Sequence, residues 1–289
     1  MRLAYPVIRH LITLSLLGIA ACATPPEPPS PPEPPLPPLA QAAVAEWEAW
    51  GRVTVDGWPD IWPGDRAATP ERFDRLISYW SAVPGGVGVV RRLAALRHAV
   101  TSGMAIPPEN AASAAEDAED AEESAATPVL AAMPEDMSLY GFPAWSAAFI
   151  SAIARRAGLP EWDLPSNARH ARYIDAVLER AATDPEGATF LPFAPEERAP
   201  APGDLLCADR AFSPLAHWSL RLGERGRPRP MHCDVVVRAG PGLIEAIGGN
   251  VLDLVTRRRL PADDTGRVLP APPGRPVFVL VLAARVRPG

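Results

Sequence analysis

Apolar residues recur at helical spacing through the first half of the chain and alternate with polar ones toward its end. In ATPERFDRLISYW, Phe73, Leu76, Ile77 and Trp80 fall three or four positions apart, the period of one helix face. Thr69 supplies an N-cap and Pro70 a first helical residue. The stretch AQAAVAEWEAWG before it ends at Gly51, a stop signal. VVRRLAALRHAV after it continues the pattern. Residues 41–102 are therefore predicted as a small helical region. His98, near the end of its helix, reads as a dipole-favoured surface residue rather than a metal ligand.

Beyond residue 136 the pattern changes. WSAAFISAIARRAG sets Trp145, Ala148, Phe149, Ala152 and Ile153 on one stripe and stops at Gly158. SNARHARYIDAVLERAA predicts a second helix capped by Ser166. Short strands follow at 203–210, 232–239, 242–249 and 276–286. AGPG between the second and third of these is a tight-turn signal. Helices first and antiparallel strands after them predict an α+β domain over 137–289,. No repeat period is visible.

Composition adds the segments that carry no such pattern. Residues 103–136 are acidic and almost free of bulky apolar groups, so they read as a disordered insertion. ATPPEPPSPPEPPLPPLA at 23–40 holds much of the chain's 37 prolines. Repeated proline fixes φ and removes amide donors, so this segment predicts a polyproline stalk reaching about 50 Å. Ahead of it, Arg2, Arg9, the apolar LITLSLLGIA and small residues before Cys22 read as an export signal over 1–22,. The apolar run is shorter than the roughly 20 residues a spanning helix needs. IAAC resembles a bacterial lipobox. That resemblance implies lipidation at Cys22 and, with no aspartate at position 23, the periplasmic side of the outer membrane. A plain secretory cut near Ala21 or Ala23 is the alternative.

A net charge of −6 argues against a general nucleic-acid binder, because such a surface must be basic to displace counterions. The arginines in TRRRLP and GERGRPRP read as solvated surface. With Cys22 set aside, Cys207 and Cys233 remain. They form either a disulfide in an oxidising compartment or two buried thiols. Two thiols and scattered histidines are too few for a zinc site, and no motif implies a cofactor.

The candidate chemistry lies at the element ends. Ser146 starts a helix, where the dipole favours developing negative charge. His232 opens a strand and offers a base. Asn250, after IGGN's glycines, offers a group to orient the imidazole. Asn250 reads equally as a turn residue, and Glu245 is a second orienting candidate. His170, in an arginine-rich helix, is expected to be exposed.

PAWSAAFIS with RRAG resembles the WCAAFVS…AG pattern of the cysteine- and histidine-dependent amidohydrolase/peptidase (CHAP) domains and their NlpC-like relatives. PGDLLC at 202–207 is similar to their first strand, MHCDVVV at 231–237 to their GHVGIV strand, and IGGNVLDLVTRRRLP at 247–261 to their GGNQ turn. Closest among these is an uncharacterised bacterial group, domain of unknown function twenty-two seventy-two. The resemblance implies a papain-like α+β fold and peptidoglycan peptides or their amide links as partners. By position it implies Ser146, His232 and Asn250 as the catalytic set, with Trp145 and Gly249 lining the binding cleft. Serine stands where the family keeps cysteine. A thiol is readily held as thiolate beside an imidazolium, whereas a hydroxyl must lose its proton during attack. Ser146 is thus a working nucleophile, a remnant in a site that still binds ligand, or a plain helix cap.

Overall fold

The computed structural model describes residues 35–59, 61, 65–104 and 136–285. The signal segment, Cys22, most of the proline-rich stretch and most of the acidic insertion lie outside these residues. Residues from Leu36 onward form one compact unit.

Three helices come first: α1 (Pro38–Ala49), α2 (Pro70–Ser81) and α3 (Gly86–Thr101). α1 starts inside the stretch expected as a stalk. Pro38 tolerates this because the first helical N–H has no intrahelical acceptor to lose, and Leu39, Ala40 and Ala43 give the helix a buried face. α2 begins as its sequence predicts, with the Thr69 hydroxyl accepting from the Arg72 N–H. Between α1 and α2 lies a strand that periodicity misses, β1 (Thr54–Asp56). It is too short to show an alternation.

A 3₁₀ turn at Met137–Tyr140 leads into α4 (Ser146–Arg156) and α5 (His170–Thr183). Residues 146–154 of α4 are all buried, so α4 is a core helix rather than the one-stripe helix its pattern suggests. Its many alanines let α1, α2, β4 and β5 pack around it. α5 starts later than expected, with Arg169 at the N-cap. Ser166 is not the cap, because its hydroxyl donates to Glu161.

The remaining elements are β2 (Phe190–Phe193), β3 (Leu205–Asp209), α6 (Leu220–Gly223), β4 (Met231–Gly240), β5 (Leu243–Val251), β6 (Leu254–Pro261) and β7 (Val277–Ala284). With β1 they form a seven-stranded sheet in the order β1-β6-β5-β4-β3-β7-β2. The expected antiparallel sheet is therefore mixed: β1 runs parallel to β6, and the other pairs are antiparallel. β6 was expected as a turn with solvated arginines. Alternation instead buries Thr256 and Arg258 on one side of it.

Successive residues of β3 and β4 feed two apolar clusters, as period-two geometry requires. Leu205, Cys207, Cys233 and Val235 join the cluster that also holds α1, α2, α4 and α5. Leu206, Ala208 and Val236 join a smaller one with Ile244, Leu260, Phe278 and Val281. Cys207 and Cys233 face each other across β3 and β4 and form a disulfide, which settles the question of free thiols. Helices α1 and α2 belong to the main core. Trp50 and Tyr79 both stack on Trp145, and buried Glu46 accepts from Tyr79, Arg75 and Arg156.

Candidate active site

Trp145, not Ser146, is the N-cap of α4, and no side chain caps that end. Ser146 is the first helical residue, so its hydroxyl is free for another partner. It lies 2.6 Å from Nε2 of His170. The helix-cap reading of Ser146 is excluded by this contact. His170 sits in the first turn of α5, and its Nδ1 lies 2.5 Å from the Tyr173 hydroxyl. Residues three apart on a helix share a face, which is how one turn supplies both the ring and its partner.

The expected exposure of His170 is corrected: only 5% of its surface is accessible. Burial, the neighbouring His232 and the cation of Arg210 together push its pKa well below the usual range, against the opposing pull of Asp234. The ring is therefore neutral near pH 7. If Nδ1–H donates to Tyr173, Nε2 presents a lone pair to the Ser146 hydroxyl, the arrangement a general base requires. Tyr173 is held protonated by burial and by the Asp234 charge.

His232 is the second ring of the cluster, with its centroid 5.3 Å from that of His170. Its Nε2 lies 2.9 Å from Oδ1 of Asp234, the next residue on its face of β4. Asp234 is fully buried and also accepts from Arg258 on β6. Burial alone would raise its pKa, but Arg258 and His232 outweigh that and hold the carboxyl well below the usual carboxylate range. Burial is also the main cause that lowers the His232 pKa. Gly248 on β5 makes room for this pair. A Cβ there would come within 1.9 Å of Asp234 Oδ1 and 3.0 Å of His232 Nε2.

Of the residues expected from sequence, Ser146 and His232 enter one cluster, with His170 adjoining both. Asn250 does not orient His232. Its Nδ2 donates to the Gly141 carbonyl at 3.3 Å, and its φ of 55° marks a left-handed turn residue. Asp234 holds the imidazole in its stead. Glu245 pairs with Arg257. Trp145 and Gly249 line no opening. Trp145 is fully buried, and a Cβ on Gly249 would strike Phe149 and Trp145 at 2.6–2.9 Å. Their role is to let β5 lie close on α4. Sequence reasoning passed over His170, Tyr173, Asp234 and Arg258. The readable signals were the His-x-x-Tyr spacing on a helix and the His-x-Asp spacing on a strand. Among the described residues, no group of three or more His, Cys, Asp or Glu side chains is placed to hold a metal ion.

A family described as "Uncharacterized protein conserved in bacteria (DUF2272)" matches residues 110–278. That span includes Ser146, His170, His232, Asp234 and Arg258, and leaves out α1, β1, α2 and α3. No curated protein and no solved structure matches the chain.

Proposed function

The chain belongs to the DUF2272 family, and from that premise we propose that it is a cell-envelope hydrolase acting on amide bonds of peptidoglycan peptides through Ser146. One observation carries this reading: the Ser146 hydroxyl at 2.6 Å from a buried, neutral imidazole at a helix start. A serine nucleophile needs a neutral base that takes its proton during attack. A thiolate–imidazolium pair would need the opposite, a histidine whose charged form is favoured. The lowered pKa of His170 thus suits the hydroxyl this chain carries.

In the proposed reaction the Ser146 oxygen attacks the amide carbonyl carbon as its proton passes to His170 Nε2. The transient imidazolium lies in the field of the Asp234 carboxylate. The tetrahedral oxyanion faces the start of α4, where the first N–H groups have no intrahelical acceptor. The proton on His170 then moves to the leaving amine, and the C–N bond breaks. Water, deprotonated by the same ring, releases the acyl group from serine. Tyr173 and the His232–Asp234–Arg258 chain hold the His170 ring in place.

The substrate class and a papain-like, CHAP-related fold rest on the likeness of PAWSAAFIS, PGDLLC, MHCDVVV and IGGN to those domains. Lipid anchoring through Cys22 rests on the lipobox likeness. Among the described residues no helix is long and apolar enough to cross a membrane.

The test uses purified full-length protein, a fluorophosphonate probe and purified peptidoglycan. The expected result is labelling and peptide release by the native chain, both absent in Ser146→Ala and reduced at least about a hundredfold in His170→Gln. Neither labelling nor release from the native protein would end the hydrolase reading. A second reading is a non-catalytic module that binds wall peptides at this site. Serine at position 146, where the resembling domains keep cysteine, favours it, because a hydroxyl must lose its proton during attack whereas a thiol is readily held as thiolate. It predicts retention on cell-wall sacculi without labelling.

A further inference from the structure

The segment between β3 and β4, residues 210–230, holds apolar side chains outward on a fixed frame. Two buried carboxylates anchor that frame, Asp175 on α5 and Asp209 at the end of β3. Arg221 donates to both oxygens of Asp175, at 2.7 and 2.9 Å, and also to the Arg227 carbonyl. The same carboxylate accepts from the Gly226 N–H. Arg229 donates to Asp209, to Glu224 and to the Ser213 carbonyl. One guanidinium thus ties the residue after Phe212 to the residue after α6. From this frame Phe212, Leu220 and Leu222 project into solvent, Phe212 completely. Arg221 points inward between the two leucines and leaves both outside. Apolar side chains grouped on one ordered loop mark an interaction face, whereas single ones do not.

Charge identifies the partner. Residues 210–230 hold five arginines and one glutamate, in a chain whose net charge is −6. Three of these arginines are matched: Arg221 by Asp175, Arg225 by Glu179, and Arg229 by Asp209 and Glu224. Arg227 on the loop and Arg172 on α5 are exposed and make no ion pair among the described residues. They adjoin each other, because a Cβ on Gly226 would lie 3.6 Å from Nη1 of Arg172. We propose that this face docks on an anionic phospholipid surface. Phe212, Leu220 and Leu222 enter the boundary between headgroups and acyl chains, and Arg172 and Arg227 meet the lipid phosphates. An acidic glycan or peptide would match the arginines but would leave the three apolar side chains in water. The frame orders the loop before docking, so little conformational entropy is lost on contact. The proposal holds whether or not Ser146 is a nucleophile.

The test uses the full-length chain with Cys22→Ser, to which no lipid can be attached. The apolar run at residues 11–20 can hold this chain on vesicles by itself,, so the readout is local to the loop. Phe212→Cys is labelled with the fluorophore NBD, the remaining cysteines being joined to each other. Val87→Cys, exposed on α3, carries the same label as a reference. Vesicles are phosphatidylcholine alone, or phosphatidylcholine and phosphatidylglycerol in equal parts, each with a spin-labelled lipid as quencher. The expected result is quenching at position 212 on the anionic vesicles, about tenfold weaker on the neutral ones, and none at position 87. Arg172→Gln with Arg227→Gln lowers the anionic signal about tenfold, and the corresponding lysine pair retains it, since the attraction is one of charge. Leu220→Ser with Leu222→Ser lowers it with every arginine in place. All these side chains are exposed, so thermal midpoints are expected to match the parent chain. No quenching at 212, equal quenching on both vesicle types, equal quenching at 87, or a signal unmoved by the glutamine pair would each overturn the proposal. A spectral shift of the label with soluble peptidoglycan fragments but not with vesicles would give the face to the wall polymer and overturn it as well.

Discussion

Both ring nitrogens of His170 are engaged, one by Ser146 and one by Tyr173, and the ring is desolvated. Burial, with the neighbouring His232 behind it, depresses the folded pKa below the roughly 6.5 of an unfolded chain,. His232 is depressed in the same direction. As pH falls through about 6.5 the unfolded chain takes up these protons before the folded one does, so stability is full above that pH and declines below it. Thermal midpoints are expected to drop between pH 7.5 and 5, and less steeply in His170→Gln. A slope unchanged by that substitution would mean the ring is not buried neutral. Asp234 adds a second, lower window, since its depressed pKa contributes stability that is lost as pH falls below about 4. Replacing it by Asn strands Arg258 in the interior without its counter-charge. Asp234→Asn is expected to cost about 3–5 kcal/mol, read from the urea midpoint at unchanged slope.

At the scale of elements, the contact between β5 and α4 depends on two glycines with different neighbours. Gly248 leaves space for the His232–Asp234 pair, and Gly249 leaves space for Phe149 and Trp145. Gly249→Ala overpacks this contact and is expected to destabilise by about 1–3 kcal/mol, measured by denaturation. Such close approaches explain what the sequence made legible and what it did not. α2, α4, β3, β4, β5 and β7 were readable because each carries a full period, a cap or a turn signal of its own. β1 and β2 were not: at three and four residues they are defined by partners far along the chain. β6 was masked by its arginines: Arg258 is buried through Asp234 and Trp58, and Arg257 lies over Trp47. The site divides the same way. Ser146 and His232 stand in motifs. His170 gains its role only because α5 brings its first turn to the start of α4, and pairwise tertiary geometry leaves no mark on local composition.

For the whole molecule, the family match and the core have different limits. The match begins at residue 110, yet Trp50, Tyr79 and Glu46 are sealed against Trp145 and Arg156. Residues 137–289 expressed without α1–α3 would expose this aromatic stack and are expected to lack a cooperative melting transition. A sharp transition in that fragment would show that the early helices are dispensable. The Cys207–Cys233 bridge, with partners 26 residues apart, closes a loop whose restriction is worth about 3 kcal/mol. Cys207→Ser with Cys233→Ser is expected to lower the denaturation free energy by that order. The parallel pairing of β1 with β6 has a further consequence during synthesis. Arg259 meets Asp56 across 203 residues, so the sheet's outer border stays open until nearly the entire polypeptide has emerged. A nascent chain of this topology has high contact order and assembles slowly. Until Arg257–Arg259 arrive, β1 still lacks its neighbour.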